Sequence, residues 1–568
     1  MEFNKFSDLK VTKPDIDQIS KDILDFVKRL DNASSSAEAI KVVYDNFKYN
    51  DDISSNIEII SIRNSINVKD KYYEELMDFL DEKLPLLSEQ NNMFDLAMLK
   101  SKFRPELEKE FGSLLFKQIE NSVRIFSPEI IPEMQEENKL VSQYGKLMGS
   151  ALVNFRGEDY PTTKLLPFMT STDRETRKES SKAFWSFFEK NDSTLGDIYN
   201  SLVQVRTKMA KKLGFDNFVQ LGYYRLGRLD YNQKDVENYR NQVLKYIVPL
   251  SEKCFARQKE RIGIADYKYF DEKLTFKSGN PVPVGTPDDL VKDAQEMYEE
   301  MSPVASKYFN FMKDHELFDL VAKDGKQPGG YMTFIPSIKS SFIFSNFNGT
   351  SGDVDVLTHE FGHSLEGFLS ADIKVPSYRM PGMECCEIHS MSMEFFAYPW
   401  MKLFFKDQDE KYRFSHLSSS ITFIPYGVSV DEFQHYVYEN PSVTHEQRKA
   451  KWREIEKKYL PHIEYGEENP FLESGAFWMK QSHIYQNPFY YIDYTIAQVC
   501  AFEFFCESLK DYKKSFAKYI DFDKLGGLYP YKELLTKGGI KDPMVDGTIQ
   551  ELTPILEQYL ASIDDLKY

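Results

Sequence analysis

The sequence predicts a mainly α-helical protein with a small β-sheet in its middle. Helical periodicity dominates the chain, and helices are expected at both ends, in "DILDFVKRL" and in "TPILEQYLASI". Strand-like alternation is confined mainly to three central stretches surrounded by turn residues: "YKYFDEKLTF", "GGYMTFIP" and "SSFIFSNFN". With 568 residues, of which 42% are hydrophobic, the chain can bury a large core and form more than one domain.

The terminal helices follow from apolar spacing and from capping residues. Near the start, one helix face carries Ile23, Phe26, Val27 and Leu30, and the next helix carries Leu76, Phe79, Leu80 and Leu84. At the end, Thr553 is expected as an N-cap with Pro554 at the first helical position. No repeat, low-complexity tract or flexible linker interrupts the chain, so a domain boundary is placed only approximately, near residue 150.

Charge and composition exclude several classes of partner. The net charge of −18 opposes binding to nucleic acid, whose phosphates require clustered Lys and Arg. The first residues lack the pattern of a signal peptide, and no apolar run is long enough to cross a membrane. Five cysteines without framework spacing make structural disulfides improbable. We therefore expect a cytoplasmic protein that binds neither nucleic acid nor membranes.

The stretch "VLTHEFGHSLEGF" contains the clearest chemical motif. His359 and His363 stand at i and i+4, where two imidazoles on one helix face can chelate a single ion. Glu360 can reach a water bound to that ion without being a ligand itself. This H-E-x-x-H pattern is typical of zinc peptidases. The chain's nine histidines begin only at His315, so imidazole chemistry belongs to the C-terminal half.

A catalytic zinc site normally needs a third protein ligand. Glu366, seven residues after His359, is displaced by roughly 10 Å along the helix axis and is expected to be a solvated neighbour. The next helical pattern, "MECCEIHSMSMEFFAY", offers better candidates, because carboxylates on an apolar helix are costly to bury without a cation. Spacing alone leaves Glu384 and Glu387 equally eligible. The adjacent Cys385 and Cys386 are interpreted as buried, inert thiols.

Five stretches resemble the thimet oligopeptidase and oligoendopeptidase F group of zinc metallopeptidases, especially its Pz-peptidase-like bacterial branch. They are "GGYMTF", "FIFSNFNGTSGDVDVLTHEFGHSLE", "MECCEIHSMSMEFF", "PYGVSVDEFQHYVYENP" and "QSHIYQNPFYYIDYTIAQV". The resemblance implies two helical lobes around a deep channel that admits short peptides. With the boundary placed near residue 150, the sequence predicts an N-terminal helical lobe at 1–150 and a zinc peptidase catalytic domain at 151–568.

The same resemblance implies roles for individual residues. One zinc ion per chain would be held by His359, His363 and Glu387, with Glu360 as general base and a second carboxylate, Glu394, in the outer shell. In "SHIYQNPFYYIDY", the resemblance supports His483 and Tyr494 as donors to the transition state, and Tyr490 and Tyr491 as substrate-binding candidates. Without it, tyrosines at helical spacing would more often be core residues. No catalytic role is assigned to His435.

The resulting prediction is an intracellular zinc endopeptidase that cuts internal bonds of short, unstructured oligopeptides. Two alternative hypotheses are a catalytically silent helical peptide-binding protein and a zinc exopeptidase. The intact H-E-x-x-H motif speaks against the first, and no dedicated site for a peptide terminus supports the second. The strand "SSFIFSNFN" could be an exposed edge that pairs with substrate or a buried strand, and the sequence does not distinguish these. Oligomeric state is not predicted.

Overall fold

A computed structural model describes residues 3–568, except for the side chain of Pro85. The described chain is mainly α-helical with two small sheets, which confirms the predicted fold class. It divides into two compact units, each assembled from three separate segments of sequence. Among residues 3–568, no helix combines the length and apolar character that crossing a bilayer requires.

The first unit comprises residues 3–126, 282–406 and 507–540. Its main helices are Ile16–Asp31, Ser36–Ile66, Lys71–Lys83, Ser88–Lys100, Arg104–Phe111, Ser113–Arg124, Pro287–Met301, Pro303–Asp314, Gly352–Ser370, Met383–Phe396, Met401–Phe405, Tyr512–Asp523 and Tyr531–Gly538. Polar caps start several of them. Asp15, for example, accepts the backbone N–H of Gln18, and Ser302 accepts that of Ala305.

The second unit comprises residues 127–281, 407–506 and 541–568. Its main helices are Ile131–Gly149, Leu166–Met169, Arg174–Lys190, Asp192–Lys212, Phe218–Arg225, Gln233–Gln242, Val248–Ile262, Asp409–Glu439, His445–Tyr459, Pro470–Glu473, Ser482–Gln486, Tyr491–Ser508 and Thr548–Ala561. A two-stranded antiparallel hairpin, Leu152–Phe155 with Glu158–Pro161, follows the first of these helices.

A three-stranded sheet in the first unit precedes the H-E-x-x-H motif. Its central strand, Ser340–Phe347, runs parallel to Phe318–Val321 on one side and antiparallel to Tyr331–Ile335 on the other. The central strand is buried almost throughout. The alternative that "SSFIFSNFN" is an exposed edge is therefore wrong, because both of its edges are already paired.

Two local predictions are wrong for reasons of packing. Instead of a strand in "YKYFDEKLTF", the chain forms a short 3₁₀ helix, Tyr269–Asp271, because the buried Asp271 carboxylate accepts the N–H of Lys268 and pairs with Arg177 at 2.7 Å.

The last helix begins at Thr548, so Thr553 is not its N-cap and Pro554 lies inside it. Ile549, before the proline in this helix, and Leu556, after it, are both fully buried. Their packing holds the backbone helical through the proline, whose missing N–H costs one hydrogen bond.

The boundary at residue 150 falls at the end of the helix Ile131–Gly149. Contacts group the chain differently, because segments far apart in sequence build each compact unit. The division into a lobe at 1–150 and a domain at 151–568 stays a prediction.

Candidate metal centre and tyrosine cluster

The H-E-x-x-H residues lie on the helix Gly352–Ser370, here called the HExxH helix. A turn fixes its start, where the carboxylate of Asp353 accepts the backbone N–H of Asn348 at 2.9 Å and of Gly349 at 2.8 Å. Three apolar residues on the helix are fully buried: Leu357, Phe361 and Leu365. These buried side chains anchor the helix in the core of the first unit. The backbone positions of His359 and His363 are therefore fixed by the packing of the helix.

Three side chains converge at this helix. Oε2 of Glu387 lies 3.2 Å from Nε2 of His359 and 3.5 Å from Nε2 of His363. Glu387 comes from the helix Met383–Phe396, here called the glutamate helix. Its carboxylate is buried, whereas the histidine side chains are 22% and 13% exposed. The three donors form a partly accessible group, as a site that must admit substrate requires.

The spacing of these donors fits one zinc ion. Donors bound tetrahedrally at about 2.0–2.1 Å stand about 3.3 Å apart, and the two observed distances of 3.2 and 3.5 Å bracket this value. Two imidazoles and one carboxylate also form a donor set typical of catalytic zinc. The residues therefore fit the ion on geometry and on chemistry.

A second carboxylate supports the first histidine. Oε1 of Glu394, on the glutamate helix, lies 2.6 Å from Nδ1 of His359. Such a contact fixes the ring orientation of a metal-binding histidine and makes the opposite nitrogen a better donor. Although burial favours the neutral imidazole, hydrogen bonds to Glu387 and Glu394 raise the pKa of His359 well above its ordinary value. A proton on this ring would compete with a metal ion.

The other acidic residues near the motif have distinct environments. Glu360 is buried, and burial raises the pKa of its carboxyl above the ordinary range. Glu384 is also buried but lies beside Gly382, outside the converging group. The expectation that Glu366 is solvated is wrong. Its side chain is fully buried, because the helix Tyr512–Asp523 covers that face of the HExxH helix.

The glycine inside "HEFGH" allows the two helices to approach each other. A Cβ atom on Gly362 would lie 2.7 Å from the backbone oxygen of His389 and 2.7 Å from Cα of Ser390. Both of those residues belong to the glutamate helix, two and three residues after Glu387. The absence of a side chain thus brings the third donor within reach of the histidines. The glycine is part of the motif, but its spacing alone does not predict this role.

A buried hydrogen bond also connects the glutamate helix to the helix Tyr512–Asp523. Nδ1 of His389 lies 2.6 Å from Oδ1 of Asp523, and both side chains are essentially inaccessible. The hydroxyl of Tyr519 also donates to the backbone oxygen of His389 at 3.0 Å. These contacts tie the helix that carries Glu387 to the helix Tyr512–Asp523. The sequence contains no signal for these contacts, since nothing local links positions so far apart.

The predicted transition-state donors lie in the second unit, where they form a cluster. The ring of His483 lies 5.8 Å from that of Tyr490, 5.0 Å from Tyr491 and 5.8 Å from Tyr494, measured between centroids. All four side chains are partly exposed, unlike the surrounding core. We call this group the tyrosine cluster. Its exposure argues against a purely structural packing role for these rings.

A hydrogen-bond chain sets the orientation of His483. The hydroxyl of Tyr426 donates to Oε1 of Gln481 at 2.9 Å, and Nε2 of Gln481 lies 2.8 Å from Nδ1 of His483. Because the amide nitrogen is a donor, Nδ1 accepts and the hydrogen of the neutral ring resides on Nε2. This tautomer makes His483 a hydrogen-bond donor. The sequence identifies His483 as a candidate but contains no signal for Tyr426 or Gln481.

The cysteines and His435, which the sequence also singled out, are buried. All five cysteines are buried and none forms a disulfide, which agrees with the interpretation of Cys385 and Cys386 as buried thiols. His435 is buried, with Nε2 3.0 Å from the hydroxyl of Tyr223 and Nδ1 3.1 Å from the carboxylate of Asp431. These contacts account for His435 without a catalytic role.

Comparison with known protein families gives matches over most of the chain. Residues 6–126 match the Peptidase M3 N-terminal domain, and residues 167–554 match Peptidase family M3. The second match contains the HExxH helix and the glutamate helix, together called the metal-centre helices, and also the tyrosine cluster.

Individual proteins are also similar. The solved structure of PZ peptidase A with inhibitor 2 superposes with a TM-score of 0.94 and 45% sequence identity, covering 99% of this chain and all of the other. Oligopeptidase PepF of Bacillus subtilis is 23% identical over 504 residues, which are 81% of this chain and 70% of that protein. The chromosomal oligoendopeptidase F of Lactococcus lactis subsp. cremoris is 24% identical over 420 residues, covering 70% of this chain and 65% of the relative.

Proposed function

The chain belongs to peptidase family M3 and is a metallopeptidase, and from this premise we propose that it is a zinc oligoendopeptidase. Its substrates would be short, unstructured peptides cut at internal bonds. The observation that carries the proposal is the convergence of His359, His363 and Glu387 at distances suited to one zinc ion. The names of the similar proteins, oligopeptidase and oligoendopeptidase, support the substrate class.

We propose that one zinc ion per chain is held by His359, His363 and Glu387. When bound, the ion supplies a Lewis acid that polarises the scissile carbonyl and acidifies a water molecule. Glu360 accepts the proton of the attacking water and later delivers it to the leaving amine. Burial suits Glu360 to this task, because it raises the proton affinity of the carboxylate.

The tyrosine cluster supplies hydrogen-bond donors in this proposal. His483, with its hydrogen on Nε2, and Tyr494, with its phenol, stabilise the negative charge that develops on the carbonyl oxygen. Tyr490 and Tyr491 contact the substrate. The three phenols are within ring contact of His483, so one peptide segment can meet all of them.

We further propose that the protein acts in the cytoplasm, binds no nucleic acid and does not enter membranes. Five buried thiols support a reducing compartment, since none is paired in a disulfide. The net charge of −18 supports the absence of nucleic-acid binding. Two other functions are less favoured. A silent peptide-binding protein has no need of Glu360, and an exopeptidase needs a site for a peptide terminus.

The decisive experiment is digestion of a peptide library of graded length by the purified protein, with and without a chelator, read by mass spectrometry. Internal cuts that disappear with chelator and return with zinc support the proposal. Terminal trimming would indicate an exopeptidase, and intact peptides would indicate a binding protein. The Glu360→Gln protein, purified identically, excludes a contaminating protease. A stable folded protein in the same digestion should stay uncut.

A further inference from the structure

A cavity of about 230 Å³ lies in the second unit next to the tyrosine cluster. Aromatic rings and charged groups share its wall, among them Phe423, Tyr426, Phe477, Lys480, Lys273 and Glu272. Two of these rings contact Tyr491, with centroid distances of 5.7 Å from Phe423 and 5.8 Å from Tyr426. The cavity therefore adjoins the group to which we assign substrate contact.

The ammonium group of Lys480 is held between two of these rings. Nζ lies 3.9 Å from the ring centroid of Phe477 and 5.1 Å from that of Tyr426. In the part of the chain that the structure describes, no carboxylate oxygen lies within 4.0 Å of this nitrogen. Ring faces attract the charge, but they do not replace an anionic acceptor for its three N–H donors. A half-buried ammonium in this setting is suited to an anion from outside the chain.

The surrounding charges also favour an anion. Burial, with repulsion from Lys273, lowers the pKa of Lys480 to about 7, although the carboxylates of Glu272 and Glu456 act in the opposite direction. An anion bound in the cavity would favour the charged ammonium form of Lys480. Glu272 supplies the carboxylate of the cavity wall, and its Oε1 lies 3.7 Å from Nε2 of His462. His462 in turn pairs through Nδ1 with Glu252 at 2.7 Å. Two lysines thus face the cavity against one carboxylate.

Chain connectivity places Lys480 close to His483. Lys480 ends the 3₁₀ helix Phe477–Lys480, and the next residue, Gln481, contacts the imidazole of His483. Three peptide steps span at most roughly 10 Å. The Cα atoms of Lys480 and His483 are therefore within reach of one short peptide segment.

We propose that Lys480 receives a carboxylate of the peptide substrate in this cavity, either an acidic side chain or the C-terminal carboxylate. This rests on the proposed function and deepens it, because it assigns a charge preference at one substrate position. The neighbouring Lys273 reinforces the preference, and substrates with a lysine or arginine at the same position are disfavoured by repulsion.

The test compares matched peptides that differ only in one charge. A parent peptide carries Glu or Gln at each position around the cleaved bond in turn, and a second pair carries a free or an amidated C-terminus. For the wild-type protein, we expect kcat/KM to favour the carboxylate at one position by roughly tenfold or more. A single internal position identifies the side chain as the ligand, whereas the free C-terminus identifies the terminal carboxylate.

Variants assign the preference to Lys480. The preference should disappear in Lys480→Met, persist in Lys480→Arg and invert in Lys480→Glu, so that the neutral member of the pair is cut faster. Lys182→Met is the matched control, because Lys182 is exposed on the helix Arg174–Lys190 and the change in net charge is the same. Thermal melts verify that each variant folds.

Two results would overturn the inference: equal wild-type rates within every pair, or a preference that survives in folded Lys480→Met. The first is measured on the unmodified protein, so it does not depend on any variant folding. If wild-type protein cuts no peptide in the set, the proposed function itself fails. Cleavage without charge preference removes only the role of Lys480.

Discussion

Oε1 of Glu394 lies 2.6 Å from Nδ1 of His359, so a carboxylate on one helix orients an imidazole on another. The opposite nitrogen of the same ring lies 3.2 Å from Glu387. His359 therefore has both nitrogens engaged by the glutamate helix, and its ring has little freedom to rotate. From this geometry we expect Glu394 to affect metal affinity, although it is not a proposed ligand.

Replacing Glu394 tests that relationship. Glu394→Gln should keep the fold but weaken zinc binding by roughly 10–100-fold, since a neutral amide orients and polarises the histidine less well. The measurement is a competition titration with a chromophoric chelator. Glu384→Gln, on the same helix but outside the converging group, is the control and should bind zinc like the wild type. Equal affinities in all three proteins would remove Glu394 from the site.

The ligands themselves should have larger effects. The purified protein should contain about one zinc per chain, and His359→Ala or Glu387→Ala should lose most of it, because each removes one of three donors. Metal analysis after exhaustive dialysis measures the zinc content per chain of each protein. His315→Ala, a histidine outside the group, is the matched control. Full zinc content in Glu387→Ala would make Glu384 the next candidate.

Glu360 separates metal binding from proton transfer. Glu360→Gln should retain zinc and its melting temperature while losing roughly 10²–10⁴ in kcat, because the amide cannot accept a proton. Steady-state kinetics on a quenched fluorescent peptide, together with metal analysis, measure both properties. Wild-type activity in this variant would contradict the proposed general base.

Tyr494 tests the tyrosine cluster. Tyr494→Phe keeps the ring but removes the phenol, so kcat should fall by roughly 10²–10³ while KM and zinc content stay near wild type. The matched control is Tyr436→Phe, on the helix Asp409–Glu439 and outside the cluster. An unchanged kcat would leave His483, with Tyr490 or Tyr491, as the donors.

Gly362 tests the close approach of the two metal-centre helices. Gly362→Ala places a methyl group 2.7 Å from the backbone of the glutamate helix, so it should destabilise the protein by about 1–3 kcal/mol and lower zinc affinity. Gly145→Ala is the control, because that helical glycine has open space around its Cβ position. Its stability should be unchanged or slightly higher. Denaturant melts distinguish the two, and equal stability of both variants would refute the contact.

The sequence predicted the parts of the site that depend on local spacing. His359 and His363 needed only helical geometry, and the mainly helical class needed only periodicity. The choice between Glu384 and Glu387 could not be made this way, because it depends on how two helices pack. The structure shows the packing, with Gly362 at the crossing point.

Long-range contacts explain the errors. Glu366 was expected in solvent because nothing near it in sequence predicts the helix Tyr512–Asp523 that covers it. "SSFIFSNFN" could have been an edge strand, since its two partner strands are not identifiable from its own residues. The sequence contains no signal that Lys480 could bind an anion, because the groups around its ammonium are known only from the three-dimensional structure.

The contact between His389 and Asp523 bears on the order in which the protein is made. The metal-centre helices leave the ribosome well before residue 523, yet the first unit is complete only when residues 507–540 have joined it. The nascent chain therefore carries its histidines and glutamates before the segment that clamps them exists. We therefore expect the first unit to reach its final packing only late in synthesis, after residue 523 has been made.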